Sequence, residues 1–189
     1  MPSETREGRL DGIRVVLGLL AAMWVLELLD LALDHRLDQY GIEPRDADGL
    51  VGVVAAPFLH ADFGHLLANT IPFLVLGIII ALQGVARVLG VTAIVILVSG
   101  LGTWLVAPEH SIHIGASGVV FGYATYLLAR GVFNRNPLEI LVGVGVAAVW
   151  GTALLGGLVP QEGVSWQGHF FGAVGGVAAA RAFAKRAPA

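Results

Sequence analysis

The sequence predicts an all-α polytopic membrane protein, a bundle of six transmembrane helices with a long first loop. Three observations predict it: the composition, the six separate apolar segments and the distribution of basic residues. Of the 189 residues, 56% are hydrophobic and 13% are charged, whereas about a quarter of the residues of a soluble domain are charged. So much apolar surface cannot be buried in one water-soluble core, which makes the bilayer the solvent. The chain contains no cysteine, which excludes disulfides, thiolate metal sites and cysteine catalysis.

The first apolar segment, residues 15–33, is predicted to be a retained transmembrane helix that follows a polar segment at residues 1–14. Glu27 and Asp30 interrupt it near its end. A signal peptide is the alternative interpretation. The stretch is longer than the apolar region of a usual signal peptide, and no small-x-small cleavage site ends it.

A long acidic connection follows at residues 34–64. Its second half, residues 50–59, is apolar but too short to span a bilayer, which predicts an interfacial or re-entrant segment. Five further apolar segments lie at residues 65–82, 88–107, 117–129, 138–158 and 166–183. With the first segment they make six predicted helices, in one membrane domain over residues 15–183.

The basic residues predict the orientation of these helices. If the N-terminus is cytoplasmic, nine of the eleven basic residues lie inside: Arg6, Arg9, Arg14, Arg87, Arg130, Arg135, Arg181, Lys185 and Arg186. Only Arg36 and Arg45 then lie outside. The excess of Lys and Arg in cytoplasmic segments therefore predicts the orientation of a multi-pass membrane protein. It also predicts that both termini are cytoplasmic, namely the polar segment at residues 1–14 and a tail at residues 184–189.

Ser117 opens the fourth segment, in the stretch Gly115-Ala116-Ser117-Gly118. A helix start offers unpaired backbone N–H groups and a positive dipole end, which suit a developing oxyanion. The alternative is that Ser117 is an ordinary N-cap. The predicted segment 117–129 reaches only about 20 Å, against a hydrocarbon core of ~30 Å. If Arg130 marks the inner surface, this shortness predicts that Ser117 lies below the outer surface, at the floor of a water-filled cavity.

His169 lies near the predicted outer end of the sixth segment, where an ionisable residue is a functional candidate. Glycines recur at four-residue spacing beside both residues: Gly118 and Gly122 beside Ser117, and Gly168, Gly172 and Gly176 beside His169. Such faces let membrane helices approach closely, although glycine is common in a chain with 26 of them. We expect Ser117 and His169 to meet, so that a neutral imidazole activates the serine hydroxyl. The alternative for His169 is an interfacial histidine bonded to water.

His65 and Asn69 are spaced i, i+4 at the start of the second segment and share one helix face. With the Ser117 N–H they would form an oxyanion hole, while the alternative is polar contact between helices. A zinc site is the competing interpretation of five histidines: His60, His65, His110, His113 and His169. The sequence has no HExxH, and the spacing of His60 and His65 does not suit one helix face, so we expect no metal site.

These residues resemble the rhomboid family of intramembrane serine proteases, over about residues 12 to 183. The resemblance rests on three motifs in order: His60-x4-His65-x3-Asn69, Gly115-Ala116-Ser117-Gly118 and His169-x2-Gly172-x3-Gly176. It implies that Ser117 is the nucleophile and His169 the general base, a dyad without an acidic member. It also implies that His65, Asn69 and the Ser117 N–H hold the oxyanion, with His60 as a structural or water-retaining neighbour.

The resemblance further implies that the substrates are membrane-anchored proteins, cleaved in or next to the bilayer. We expect no cofactor and no nucleic-acid partner. Phe121 stands where many members have Tyr, and it can pack against the His169 ring without a hydroxyl. The Trp-Arg pair of the first loop is absent, so the resemblance does not account for how residues 49–59 are anchored. Inactive relatives lack the Ser or His, or have Pro where this chain has Ala116. A non-proteolytic binder of unstable transmembrane helices is the alternative function, and a small transporter gains no support beyond six spans.

Overall fold

A computed structural model describes residues 5–184, and within this range every regular element is a helix. The α-helices are α1 (Arg6–Ala32), α2 (Gly52–Ala55), α3 (Phe63–Ala81), α4 (Val85–Val106), α5 (Ser117–Asn134), α6 (Pro137–Gly157) and α7 (Trp166–Ala182). Residues 1–4 and 185–189 lie outside the described range, and so do most of the predicted tail and the predicted cytoplasmic Lys185 and Arg186. The all-α prediction is confirmed for the part of the chain described.

Four of these helices are long and apolar enough to cross a membrane, namely α1, α3, α4 and α6. Helices α5 and α7, which the sequence predicted as the fourth and sixth spans, do not meet these criteria. Helix α7 has 17 residues and is shorter than these four helices. In α5, ten of the 18 residues are buried inside the protein, where small and polar side chains are tolerated. Helix α1 also begins earlier than predicted, because Thr5 caps it by accepting from the Gly8 N–H at 3.0 Å.

The predicted end of α5 at residue 129 is wrong, because the helix continues to Asn134. Arg130 does not mark the end of the helix. Its Nη2 donates to Glu139 Oε1 of α6 at 2.7 Å, and both side chains are mostly buried. Arg135 ends the helix in the left-handed conformation, with φ of 50°. Eighteen residues extend about 27 Å, so the shortness predicted for this helix does not place Ser117 at depth.

Helices α5 and α7 meet through their glycines. A Cβ built on Gly172 would collide with the carbonyl oxygen of Gly118, and one built on Gly176 would collide with that of Gly122. The two backbones are therefore in contact, as the four-residue glycine spacing predicted. We call this contact the glycine seam, defined by Gly118, Gly122, Gly172 and Gly176.

The first connection, residues 33–62, packs on the loop that precedes Ser117. Ile42 and His113 exchange two backbone hydrogen bonds of 2.9 and 3.0 Å. The Gly115 N–H donates at 2.8 Å to the carbonyl of Ala56, which lies within the predicted interfacial segment and begins its 3₁₀ turn after α2. This connection therefore holds the backbone leading into α5.

Arg45 and Trp104 anchor the same connection where the Trp-Arg pair is missing. The Arg45 guanidinium donates to Glu109 Oε1 at 2.9 Å and to the carbonyls of Leu105 and Ala107. The Trp104 Nε1–H donates to the Asp46 carbonyl at 2.7 Å. An Arg and a Trp from other positions thus join the loop to the end of α4.

Candidate active site

Ser117 and His169 form a direct hydrogen bond, with Ser117 Oγ 2.8 Å from His169 Nε2. Ser117 is the first residue of α5, and His169 is the fourth residue of α7. The glycine seam brings these two helix starts together, because its backbone contacts leave no side chain between them. The alternative that Ser117 is an N-cap is wrong: Ala116 occupies that position, and no side chain caps the helix.

A backbone carbonyl orients the imidazole of His169. His169 Nδ1 lies 2.7 Å from the carbonyl oxygen of Gly157, the last residue of α6. A carbonyl oxygen only accepts, so Nδ1 carries the proton and Nε2 presents its lone pair to the Ser117 hydroxyl. This is the tautomer that a general base requires, and the carbonyl occupies the position of the acidic member of a triad.

The ring of Phe121 packs on one face of the His169 imidazole. It stacks on the His169 ring with a centroid distance of 4.2 Å and an interplanar angle of 7°. A Cβ on Gly157 would lie 2.6 Å from Phe121 Cζ and 2.9 Å from His169 Nδ1. Only a glycine at residue 157 lets the carbonyl and the phenyl ring contact the imidazole together.

Asn69 and Ser117 both line a cavity of about 620 Å³ between α3 and α6. Asn69 is buried, and its Nδ2 donates to the His65 carbonyl at 3.1 Å. An amide carries two N–H donors, which leaves one for a group in the cavity. Ser117 adds its own N–H, since the first N–H groups of a helix have no intrahelical acceptor.

His65 lies against the backbone just before Ser117. A Cβ on Gly115 would lie 2.7 Å from His65 Nε2, so the imidazole occupies the space that any other residue would fill. Gly115 has a φ of +114°, a conformation that side chains disfavour. The His65 imidazole therefore lies beside the backbone at Gly115, while Asn69 lines the cavity that reaches Ser117.

His60 supports this backbone from behind. Its Nε2 accepts from the Ala116 N–H at 3.3 Å, and its ring meets the His65 ring edge-on with centroids 5.0 Å apart. Burial, with a smaller contribution from His65, lowers the pKa of His60 to about 4. The imidazole is therefore neutral at physiological pH and keeps its lone pair for Ala116.

His113 joins the loop before Ser117 to the start of α7. Its Nδ1 lies 2.7 Å from Ser165 Oγ, and its Nε2 lies 2.9 Å from Ser111 Oγ. Ser165 also caps α7, since its Oγ accepts from the Gly168 N–H. Burial lowers the pKa of His113. The sequence named His113 only as a possible zinc ligand, and this link between the two helix starts was missed.

Within the described residues, the five histidines do not gather around a common point. The side chains there that could share an ion are a different set. His60 and His65 are adjacent, His113 bonds to serines, and His169 bonds to Ser117. The predicted zinc alternative has no support from this arrangement.

A second, smaller cavity of about 30 Å³ lies next to Ser117. Ser99 and Thr103 of α4 supply polar atoms to its wall. Ser99 Oγ donates to the Gly168 carbonyl at 2.8 Å, and Thr103 Oγ1 is buried without a hydrogen-bond partner among the described residues. This volume is sufficient for one water molecule. The sequence offered no signal for this cavity or for Gly157, since no motif marks a helix-end carbonyl or a gap between helices.

Comparison with known proteins places this chain in a family. The family model of the Rhomboid domain matches residues 47–186. An uncharacterized protein of Mycobacterium tuberculosis is 46% identical over 177 residues, which are 89% of this chain and 74% of that protein. A Bacillus subtilis protein provisionally named a rhomboid protease is 29% identical over 119 residues, 62% of this chain and 59% of that protein. A protein of Acanthamoeba polyphaga mimivirus, provisionally named a rhomboid protein, is 28% identical over 138 residues, 67% of this chain and 71% of that protein.

Proposed function

The chain belongs to the rhomboid family, and from this premise we propose that it is an intramembrane serine endopeptidase with a Ser117–His169 dyad. Its substrates are membrane-anchored proteins, hydrolysed in or next to the bilayer. The observation that carries the proposal is the 2.8 Å contact of Ser117 Oγ with His169 Nε2, in the tautomer set by Gly157. A structural histidine would not need its basic nitrogen aimed at a serine hydroxyl.

The proposed reaction begins when His169 Nε2 takes the proton of the Ser117 hydroxyl as Oγ attacks the scissile carbonyl carbon. The carbonyl oxygen becomes an oxyanion, which accepts from the Ser117 N–H, the free N–H of Asn69 and the His65 imidazole. His169 then passes its proton to the leaving amine, and the acyl-enzyme remains on Ser117. A water deprotonated by His169 hydrolyses the ester and restores the serine.

The two cavities suggest where the reactants enter. The large cavity is bordered by apolar side chains of α3 and α6, including Leu67, Ile71, Trp150 and Leu154, and it reaches Ser117. We infer that a substrate segment enters from the bilayer between these two helices. A helix bonds its carbonyls internally, so the scissile peptide must unwind before attack. The small cavity beside Ser99 and Thr103 is the proposed position of the hydrolytic water.

We also propose that α5 and α7 cross the membrane with α1, α3, α4 and α6, in a six-helix bundle of the plasma membrane. Both termini are then cytoplasmic. His65, Ser117 and His169 all lie at helix starts of the same direction, at one end of the bundle. The positive-inside distribution of Lys and Arg makes that end the extracytoplasmic one. The lipid bilayer and transmembrane substrates are the partners of this arrangement.

The test is cleavage of a membrane-anchored reporter by the purified protein in proteoliposomes. Ser117→Ala and His169→Ala should each lower the rate by at least about 1000-fold. A fluorophosphonate probe should label the parent at Ser117 and should not label either variant. Equal cleavage by parent and variants would show that the dyad is wrong. Absence of labelling in a folded parent would instead favour the non-proteolytic binder of transmembrane helices.

A further inference from the structure

Three carboxyl groups and one histidine meet at the end of α1, away from Ser117, and the proposed reaction uses none of them. Glu27 and Asp30 come from the last turns of the helix, and His35 and Asp38 come from the connection that follows. We call these four residues the carboxyl corner. Glu27 and Asp30 are each only 2% exposed.

The ligand atoms of Asp30, His35 and Asp38 all lie within 4.8 Å of one another. Asp30 Oδ1 accepts from the Leu37 N–H at 2.6 Å, which fixes the carboxylate. Its other oxygen, Oδ2, has no hydrogen-bond partner among the described residues and lies 3.5 Å from His35 Nδ1. The chain reverses after α1 and returns the imidazole to the end of the helix, where the His35 N–H donates to the Asp30 carbonyl at 2.9 Å.

Glu27 supplies an independent observation. It lies one turn before Asp30 on the same face of α1, and its buried Oε2 has no hydrogen-bond partner among the described residues. Beyond its burial, the charges that act on its carboxyl are those of Asp38, Asp30, His35 and Asp62. A buried carboxyl with no donor therefore faces a group of two further carboxyls and an imidazole.

The carboxyl oxygens of this corner have few donors among the described residues. Buried carboxylates are normally paired or bound to a metal. Within residues 5–184, the one ion pair of the corner is that of His35 with Asp30. Three carboxyl groups thus share one imidazole, and three buried oxygens have no hydrogen-bond partner among the described residues: Glu27 Oε2, Asp30 Oδ2 and Asp38 Oδ1. A divalent cation would satisfy both the charge and these oxygens.

We propose that Asp30, His35 and Asp38 form a site for a divalent transition-metal ion of the Zn²⁺ or Mn²⁺ class, with the buried carboxyl of Glu27 beside it. Carboxylate oxygens suit Mn²⁺, and imidazole with carboxylate suits Zn²⁺. The His35 side chain is 45% exposed, which gives an ion a path into the site. These three ligands come from the end of α1 and the connection after it, so the ion is structural and has no part in peptide hydrolysis.

The site would join the first connection to α1. Asp38 begins the 3₁₀ turn that leads to Ile42, which is bonded to His113 in the loop before Ser117. An ion held by Asp30 and Asp38 therefore links the end of α1 to the backbone that leads into α5. Its binding should raise the thermal stability of the whole domain, because it stabilises only the folded chain.

The experiment measures metal content and melting temperature of the full chain in detergent, stripped with EDTA and then dialysed against Zn²⁺. The parent should retain one Zn²⁺ per chain and melt several degrees higher than the stripped protein. Asp38→Asn should lose both the ion and the shift. Asp34→Asn, a matched change of an exposed neighbouring carboxyl, should keep both. His35→Gln changes a half-exposed side chain and gives the same loss if Asp38→Asn does not fold.

Two outcomes would overturn the site. The first is a folded parent that retains neither Zn²⁺ nor Mn²⁺ after dialysis. The second is retained Zn²⁺ that survives Asp38→Asn and His35→Gln but disappears in His65→Gln, which would place the ion at the adjacent His60 and His65 imidazoles. Neither measurement depends on peptide cleavage, so the carboxyl corner and the proposed protease activity fail or succeed separately.

Discussion

Helix α7 carries His169 and helix α6 contacts it, but the two helices are packed in different ways. Helix α7 meets α5 backbone to backbone along the glycine seam. Helix α6 buries only Gly143 and Val146 over its whole length, and its side toward α3 borders the large cavity. Its end nevertheless supplies the Gly157 carbonyl to His169. One helix holds the imidazole in place, and the other orients it while leaving a path for substrate.

The difference shows which contacts tolerate motion. A glycine seam has no side chains that can adjust, so any added atom must displace a helix. A helix with few buried residues can shift at small cost, as the movements that admit substrates require. The following changes test this division, from the largest expected effect to the smallest.

Gly172→Ala in the glycine seam should have the largest combined effect, because it lowers both stability and cleavage. The new Cβ collides with the Gly118 carbonyl, so α7 must move away from α5 and carry His169 with it. We expect a loss of about 1–3 kcal/mol of stability and a fall in cleavage of about 100-fold. Melting temperature and reporter cleavage measure the two. Gly145→Ala on α6 is the matched control, since nothing lies within 4 Å of its new Cβ; an equal loss there would contradict the comparison.

Asn69→Ala removes a side-chain donor from the wall of the large cavity without touching the seam. If its free N–H binds the oxyanion, turnover should fall by about 10- to 1000-fold. The fall should appear in kcat. Adding Asn69→Ala to the inactive Ser117→Ala variant should leave its binding of the uncleaved substrate unchanged. A change in KM alone would show that Asn69 only contacts the substrate.

Gly157→Ala tests the part of α6 that orients the imidazole. The Cβ would press on Phe121 and on His169 Nδ1, both side chains that can shift by a few tenths of an ångström. We expect cleavage to fall by about 10- to 100-fold with a smaller loss of stability than Gly172→Ala. Gly156→Ala is the matched control because its Cβ would have no neighbour within 4 Å. Equal activity of the two variants would show that the Gly157 contact is not needed.

Leu154→Ala enlarges the cavity between α3 and α6 without touching the dyad. Cleavage should change by no more than about threefold, in KM or in the rate of substrate entry, and fluorophosphonate labelling of Ser117 should keep its rate. A large loss of labelling would show that the middle of α6 is part of the rigid site.

Acidification should affect stability through His60, with no effect near neutral pH. The unfolded chain protonates this imidazole at about pH 6.5, whereas the folded chain does so only at about pH 4. The stabilisation that His60 contributes is therefore fully present above its pKa in the unfolded chain. It is lost as the pH falls toward its pKa in the folded chain. In His60→Gln, whose amide oxygen can still accept from Ala116, the melting temperature should depend less on pH across this window. An identical pH dependence in the variant would contradict the assignment.

Much of the fold could be predicted from residue types. Apolar segments predicted the helices to within a few residues at most ends, because burial in a bilayer requires an apolar side chain at nearly every exposed position. The prediction for the end of α5 is wrong because it treats a charged residue as a marker of the membrane surface. Arg130 instead pairs with Glu139 between two helices, and no rule of composition separates a paired arginine from a solvated one.

The sequence by itself determined which residues stand at the helix starts, because the apolar segments begin there. It also determined which helices approach closely, because glycines recur at four-residue spacing beside Ser117 and His169. Only the tertiary structure decided that the Gly157 carbonyl orients His169, that His113 joins Ser165, and that Glu27 and Asp30 meet His35 and Asp38. The physical reason is common to the three. A backbone carbonyl carries no residue signature, and the distance between side chains on separate segments depends on how the connecting loops close.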